Sequence, residues 1–319
     1  MKRVVVIACA LSAAALCTQA AAQAYPAKPV RVVVPFAPGS GTDGVARIVF
    51  QALGERMNQQ FVIDNKAGAN AIIGAELVAK SPPDGYTLFM TTNTSHSANP
   101  SLYKKLPYDP VKDYTPVTFT GTLPFMVVSH PSFSARSMAE VIAYAKSHPG
   151  KLSYATANST SLVSGESLRV LAKIDLTAVP YKSSPNAISD VVGGQVPLMI
   201  TDFVTGMPFV RSGKLKVLAV TTGKRSALLP DVPAMGETIK GFDLTSWNGT
   251  LAPAGTPREV VDRLNGELQQ VLARKELKDK LANIGFEVAP MGPEQFGEYV
   301  RQQVQYWAKM IKAAGIQPE

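Results

Sequence analysis

The chain has 319 residues, 46% hydrophobic and 18% charged, with a formal charge of +8 and two cysteines. Its Lys and Arg are scattered, with no run of five or more like charges, which argues against a nucleic-acid tract. After the first 24 residues no segment holds 18 uncharged apolar residues, so no membrane-spanning helix is expected in the mature chain.

The N-terminus opens with Lys2 and Arg3, runs apolar from Val4 to Leu16, and reaches Ala22-Gln23-Ala24 before Tyr25. A charged start, a short apolar core and an A-x-A site describe a cleavable signal over residues 1–24 and a periplasmic address. Removing 24 of the 319 residues leaves 295, enough for two α/β domains, and losing Lys2 and Arg3 lowers the charge from +8 to +6. Cys9 and Cys17 both lie in the signal. The mature chain is therefore expected to lack disulfides, thiolate nucleophiles and cysteine metal sites.

Val30 to Val34 is a β-branched run that stops at Pro35-Phe36-Ala37-Pro38 and opens into Gly39-Ser40-Gly41-Thr42-Asp43-Gly44. Val45, Ile48, Val49, Ala52 and Leu53 then recur at helical spacing. A strand, a glycine loop and a helix start together make an anion site, because the first helical amides have no intrahelical acceptor and sit at the positive end of the helix dipole.

Further on, Phe61 to Asp64 and Tyr86 to Thr91 read as strands, separated by a glycine-bearing turn at 67–74 and a helix over 72–80. Strands follow at 125–129, 151–155, 177–181, 196–201 and 215–220, with helices at 137–146, 164–172 and 184–192. The alternation predicts an α/β chain with largely parallel sheets. Near the C-terminus Thr256 is placed to cap a helix with Pro257 at its first position and Val260, Val261, Leu264, Leu268, Val271 and Leu272 facing inward. A last helix carries Phe296, Val300, Val304, Trp307 and Ile311. Gly121-Thr122-Leu123-Pro124 resembles Gly249-Thr250-Leu251-Ala252-Pro253, as suits a chain crossing twice between two lobes.

Gly39, Gly41 and Gly44 match the dinucleotide fingerprint, with Asp64 twenty residues beyond. Pro35 to Pro38 separate the strand from the first glycine, however, whereas that fingerprint turns directly off its strand. No G-x-S-x-G elbow occurs, and Pro107 and Pro110 stop any long helix after the S-x-x-K match at Ser101 to Lys104. Ser184 and its neighbours read as turn and cap residues. His96, His130 and His148 lie far apart without a metal-ligand neighbour at helical spacing, so neither metal nor cofactor is expected. Polar clusters instead follow three strands: Thr91 to Ser97, with Asn93 and His96; Thr156 to Ser161; and Thr201-Asp202. An open α/β sheet places its ligand just past the carboxyl ends of its strands.

These residues resemble a family, the Bug or TctC-like receptors of tripartite tricarboxylate transporters. The resemblance rests on Pro35 to Asp43, Ser81-Pro82-Pro83-Asp84-Gly85-Tyr86-Thr87-Leu88, Asn99 to Pro110, Val179-Pro180-Tyr181-Lys182, Gly193 to Val196, Leu218 to Thr221 and Leu251 to Pro257. It implies a type II periplasmic-binding-protein fold, with two α/β lobes, a hinge and a cleft. Lobe 1 would comprise 25–122 plus 247–319 and lobe 2 would comprise 123–246. It further implies a monomeric, non-enzymatic receptor that takes a small carboxylate to membrane permease subunits. A ligand sensor feeding a signalling partner and a secreted enzyme with a glycine-loop anion site are the alternatives.

In such receptors one loop from each lobe holds a ligand carboxylate. The first maps onto Pro35 to Asp43, including Phe36, Gly39, Ser40, Gly41, Thr42 and Asp43. Asp43 is expected to cap the first helix and steady the loop. The second maps onto Thr156 to Ser161, where Asn158, Ser159 and Thr160 stand in place of the glycines common in the family. The stretch Ala67 to Ala71 is also poorer in glycine than usual. Asp202 in the same cleft points to a ligand whose far end carries a hydrogen-bond donor. Gly121 and Gly249 are candidate hinge glycines.

Overall fold

The computed structural model describes residues 25–319, so the expected signal over 1–24 lies outside the described residues. The strands are β1 (Val30–Val34), β2 (Phe61–Asn65), β3 (Thr87–Thr92), β4 (Tyr114–Leu123), β5 (Phe125–Ser129), β6 (Ser153–Thr156), β7 (Thr177–Pro180), β8 (Leu198–Asp202), β9 (Lys216–Val220), β10 (Ser246–Pro253) and β11 (Glu287–Met291). The helices are α1 (Gly41–Met57), α2 (Ile72–Ala79), α3 (Asn99–Leu102), α4 (Met138–Ser147), α5 (Ser159–Ala172), α6 (Ser184–Val192), α7 (Phe203–Arg211), α8 (Met235–Thr238), α9 (Arg258–Ala273), α10 (Lys275–Asn283) and α11 (Pro293–Ala313). Two sheets result, with strand orders β11-β4-β10-β3-β1-β2 and β7-β6-β8-β5-β9.

Each sheet is covered by helices on both faces. In the first, Val32 and Val34 pack with the inward faces of α1 and α9, while Val33 joins Phe89, Phe119, Trp247 and Phe296 on the side of α2 and α11. This explains the unbroken valine run of β1, since a strand buried on both faces has no need of alternation. In the second sheet Val127 and Leu198 face α4 and α5, and Met126, Val128 and Met199 face α6 and α7.

The sheets are mixed rather than largely parallel. β1 pairs in parallel with β2 and β3, and β6 with β7 and β8. β10 is antiparallel to β3 and β4, β11 to β4, and β5 to β8 and β9. The cause is the double crossing. β4 leaves the first sheet through Pro124 into β5, and the chain returns after β9 to enter β10, which runs back beside β4. The crossings lie side by side. Thr221 exchanges backbone and side-chain hydrogen bonds with Leu244 (2.9 and 2.7 Å), its amide meets the Phe125 carbonyl at 3.0 Å, and Ser246 pairs with Leu123.

Several local expectations need correction. α5 begins at Ser159, five residues before the expected start, because Asn158 and Ser161 form a reciprocal capping box around a polar first turn. α9 begins after Pro257, and Thr256 does not cap it; its hydroxyl donates to the Pro253 carbonyl at 2.8 Å. Gly121 and Gly249 sit inside β4 and β10, away from the crossings. A Cβ on Gly121 would come within 2.9 Å of the Phe286 ring, and one on Gly249 within 2.7 Å of Cε1 of Phe296. They are close-packing positions.

The Phe296 ring is fully buried against Phe119 and Trp247 and cannot retreat cheaply. Gly249→Ala is therefore expected to destabilise the fold by about 1–3 kcal/mol. The urea midpoint by circular dichroism checks this, and a midpoint equal to wild type would contradict the packing role.

Candidate functional site

The β1–α1 loop is shaped by a single buried carboxylate. Ser40, not Asp43, caps α1, accepting from the Asp43 amide at 3.3 Å. Asp43 lies in the first turn, and its carboxylate reaches back to accept from the Gly39 amide, Arg47 Nε and Asn65 Nδ2, each at 2.9 Å. Asn65 also donates to the Phe36 carbonyl at 2.9 Å. Burial alone would raise the Asp43 pKa, but the bonds from Arg47, Gly39 and Asn65 hold it below the ordinary carboxylate range. Gly39, at φ +83°, turns the chain where a side chain would be strained. Its amide is spent on Asp43. The amides of Gly41 and Thr42, the first two of α1, have no intrahelical acceptor.

Both residues line a narrow cavity between the sheets. Phe36, Ser40, Gly41 and Thr42 line it from the first loop, and Thr92 and Thr94 from the end of β3. Leu123, Phe125 and Ser246 come from the crossings, and Asn158, Ser184 and Asp202 from the second lobe. Asn158 is the N-cap of α5, Ser184 opens α6 and Asp202 is the N-cap of α7. Helix N-termini from both lobes thus converge on one space, and among the described residues no Lys, Arg or His lines it.

Asp202 is 3% exposed. Its oxygens accept from the Thr205 amide (2.8 Å) and hydroxyl (3.0 Å), so it caps its helix and lines the cavity at once. Burial raises its pKa above the usual range, against the lowering effect of the Thr205 bonds. Across the gap, a Cβ on Gly41 would lie 2.6 Å from Cγ of Asp202 and 3.0 Å from Leu123 Cδ2. Glycine is required there by close approach, not by dihedral angle.

The lobes also touch through neutral side chains. Asn93 Nδ2 donates to Thr160 Oγ1 (2.9 Å) and Asn70 Nδ2 to Ser159 Oγ (2.8 Å). Ala69, Asn70 and Ala71 have φ of +44°, +48° and +71°, a left-handed run that accounts for glycine being usual there in the family resembled. Asn99 holds this run, donating to the Asn70 carbonyl at 2.8 Å and accepting from its side chain at 2.9 Å.

Of the expected ligand-binding residues, Phe36, Ser40, Gly41, Thr42, Asn158 and Asp202 line the cavity. Gly39 and Asp43 build the loop behind it. Asn93, Ser159 and Thr160 tie lobe to lobe, and Thr156 bonds Ser161 Oγ at 2.7 Å within its own loop. His96 does not reach the cavity. It is fully buried beside Phe89, Tyr108 and Tyr114, with Nδ1 2.6 Å from Thr91 Oγ1. Asp64 of the dinucleotide-like spacing is occupied by Arg31 and Lys66. Thr92 and Thr94 belong to a polar cluster legible in the sequence, and Ser184 was visible only as a cap. Leu123, Phe125 and Ser246 carry no local signal, because the crossings alone bring them to the site.

Burial pushes the His96 pKa down to about 3. The unfolded chain binds this proton near the ordinary histidine value of about 6.5, so His96 removes stability as pH falls from there toward its folded value. Denaturant midpoints measured over that window should fall more steeply for wild type than for His96→Phe, by a slope approaching one proton. Parallel curves would show that His96 is not held neutral.

The comparisons with known proteins follow the same cleft architecture. The model of the tripartite tricarboxylate transporter family receptor, TctC, matches residues 45–316. Protein BugT of Bordetella pertussis is 31% identical over 97% of this chain and 96% of its own. The solved structure of R. palustris Rpa4515 with adipate has a TM-score of 0.90 at 36% identity, covering 92% of this chain and 100% of that one. MatC from Rhodopseudomonas palustris with bound malate has a TM-score of 0.84 at 33% identity, covering 90% and 100%. The chain belongs to the TctC family of two-lobed solute-binding receptors.

Proposed function

We propose that this protein is a periplasmic receptor that closes its two lobes over a small carboxylate and presents it to the permease subunits of a tripartite tricarboxylate-type transporter. The observation that carries this reading is the convergence of helix N-termini from both lobes, with the free amides of Gly41 and Thr42, on a cavity without a basic side chain. An anion held this way is desolvated against fixed dipoles, a strong interaction in a site of low dielectric. The apolar Phe36, Leu123 and Phe125 in the same wall suit the carbon skeleton of a short organic acid. Adipate and malate in two relatives belong to this chemical class. The export-like N-terminus and the family's periplasmic receptors support the address.

The lining carries hydroxyls but, among the described residues, no His, Lys or Cys beside them, which supports a binding role over one that needs a nucleophile and its base. In this reading Asp202 selects ligands that share a hydrogen with it at lobe 2, carried either by a ligand hydroxyl, amine or acid group or by Asp202 itself. Closure is proposed to turn about Leu123–Phe125 and the paired segment near Thr221 and Leu244, which are the chain's connections between the sheets.

A thermal-shift screen of short mono-, di- and tricarboxylates should find at least one that stabilises the protein, since filling the site at a hundredfold over Kd adds ~2.7 kcal/mol. For that ligand, titration calorimetry should show Ser40→Ala weakening binding by roughly one to two decades, the equivalent of one charge-assisted hydrogen bond. Gly41→Val should weaken it further, by filling the space between Gly41 and Asp202. Wild-type affinity in both variants would move the site elsewhere.

A further inference from the structure

Among the described residues, Asp202 is the one ionisable side chain that lines the cavity. Its surroundings supply no compensating cation. From α1 it faces Gly41, from the first crossing Leu123, and the remaining lining from β10, α5 and α6 is Ser246, Asn158 and Ser184. The charged groups near the start of α1 are Asp43 and Arg47, and they pair with each other and with Asn65 on the side of β2. On its own helix, Arg211 stands at the far end and donates to the Asn283 carbonyl. A carboxylate ligand at the α1 N-terminus would therefore sit against a second carboxylate, with no positive side chain among the described residues lining the cavity.

Two carboxylates confined together cannot both stay ionised without a large shift in one of them, and the pair then titrates as a unit holding one proton. We propose that ligand capture here is proton-coupled: as a fully ionised carboxylate enters, Asp202 takes up one proton from solvent and donates the resulting O–H to the ligand. This rests on the carboxylate-receptor reading above. No bond is made or broken in the ligand, and the proton returns to solvent on release. Burial biases Asp202 toward its neutral form, and the two Thr205 bonds act against that bias. Each Thr205 bond lost would tip that balance toward the acid.

The test uses malate and adipate as probes with the full chain, from about pH 6.5 to about pH 9, above the ordinary carboxyl range. Titration calorimetry in phosphate and in Tris, whose ionisation heats differ, counts protons directly. Wild type should take up as much as about one proton per ligand, and its affinity should fall by up to roughly tenfold per pH unit as pH rises. Asp202→Asn should show neither proton uptake nor pH slope. Thr205→Val, which removes the hydroxyl bond and leaves the carboxylate, should move the fall in affinity to higher pH. Should Asp202→Asn fail to fold, the Thr205→Val shift carries the test. Binding with no proton uptake and a flat affinity in wild type overturns the coupling and leaves the receptor reading intact. If neither acid, nor any other carboxylate of the thermal-shift screen, binds at any pH, both fail together.

Discussion

The site depends on a carboxylate that stands behind the cavity wall rather than in it. Asp43 accepts from Gly39, Arg47 and Asn65, and in doing so bends the β1–α1 loop around itself. Because Ser40 takes the Asp43 amide and Asp43 takes the Gly39 amide, the backbone donors of the loop left without an acceptor are those of Gly41 and Thr42. A buried charge satisfied by three hydrogen bonds is costly to disturb, and that cost makes the loop a fixed cradle rather than an adaptable one.

The second lobe solves the same problem with neutral groups. Asn158 and Ser161 cap α5 reciprocally, and the hydroxyls of Ser159 and Thr160 turn outward to Asn70 and Asn93 of the other lobe. One short polar segment therefore helps build the cavity and fasten the lobes. Fastening by neutral hydrogen bonds is modest in strength, of the order of 1 kcal/mol each, which suits an interface that must open.

Much of the architecture was legible in the residues. The valine run, the proline-interrupted glycine loop and the helical stripe of α1 follow from local periodicity, and the family likeness extends that to two lobes. The mixed strand order was not legible, because β4, β10 and β11 are joined by contacts far apart in sequence. The same long-range geometry brought Leu123, Phe125 and Ser246 into the cavity wall. His96 misled because a histidine after a strand end reads as a reaching side chain, whereas here the turn at Thr94–Ala98 folds it back among aromatic rings. Residue type proposes a role; only the path of the chain decides which way the side chain faces.

The left-handed run at Ala69, Asn70 and Ala71 has a mechanical consequence. Alanine in this region costs on the order of 1–2 kcal/mol, so the loop carries stored energy that glycine would not impose. The restraint comes in part from across the cleft, through Asn70 to Ser159. The loop is a loaded spring with its catch on the opposite jaw. Separating the jaws releases the catch, and relaxation of the spring would repay part of the work of opening, hastening release without any change in the groups that grip the cargo.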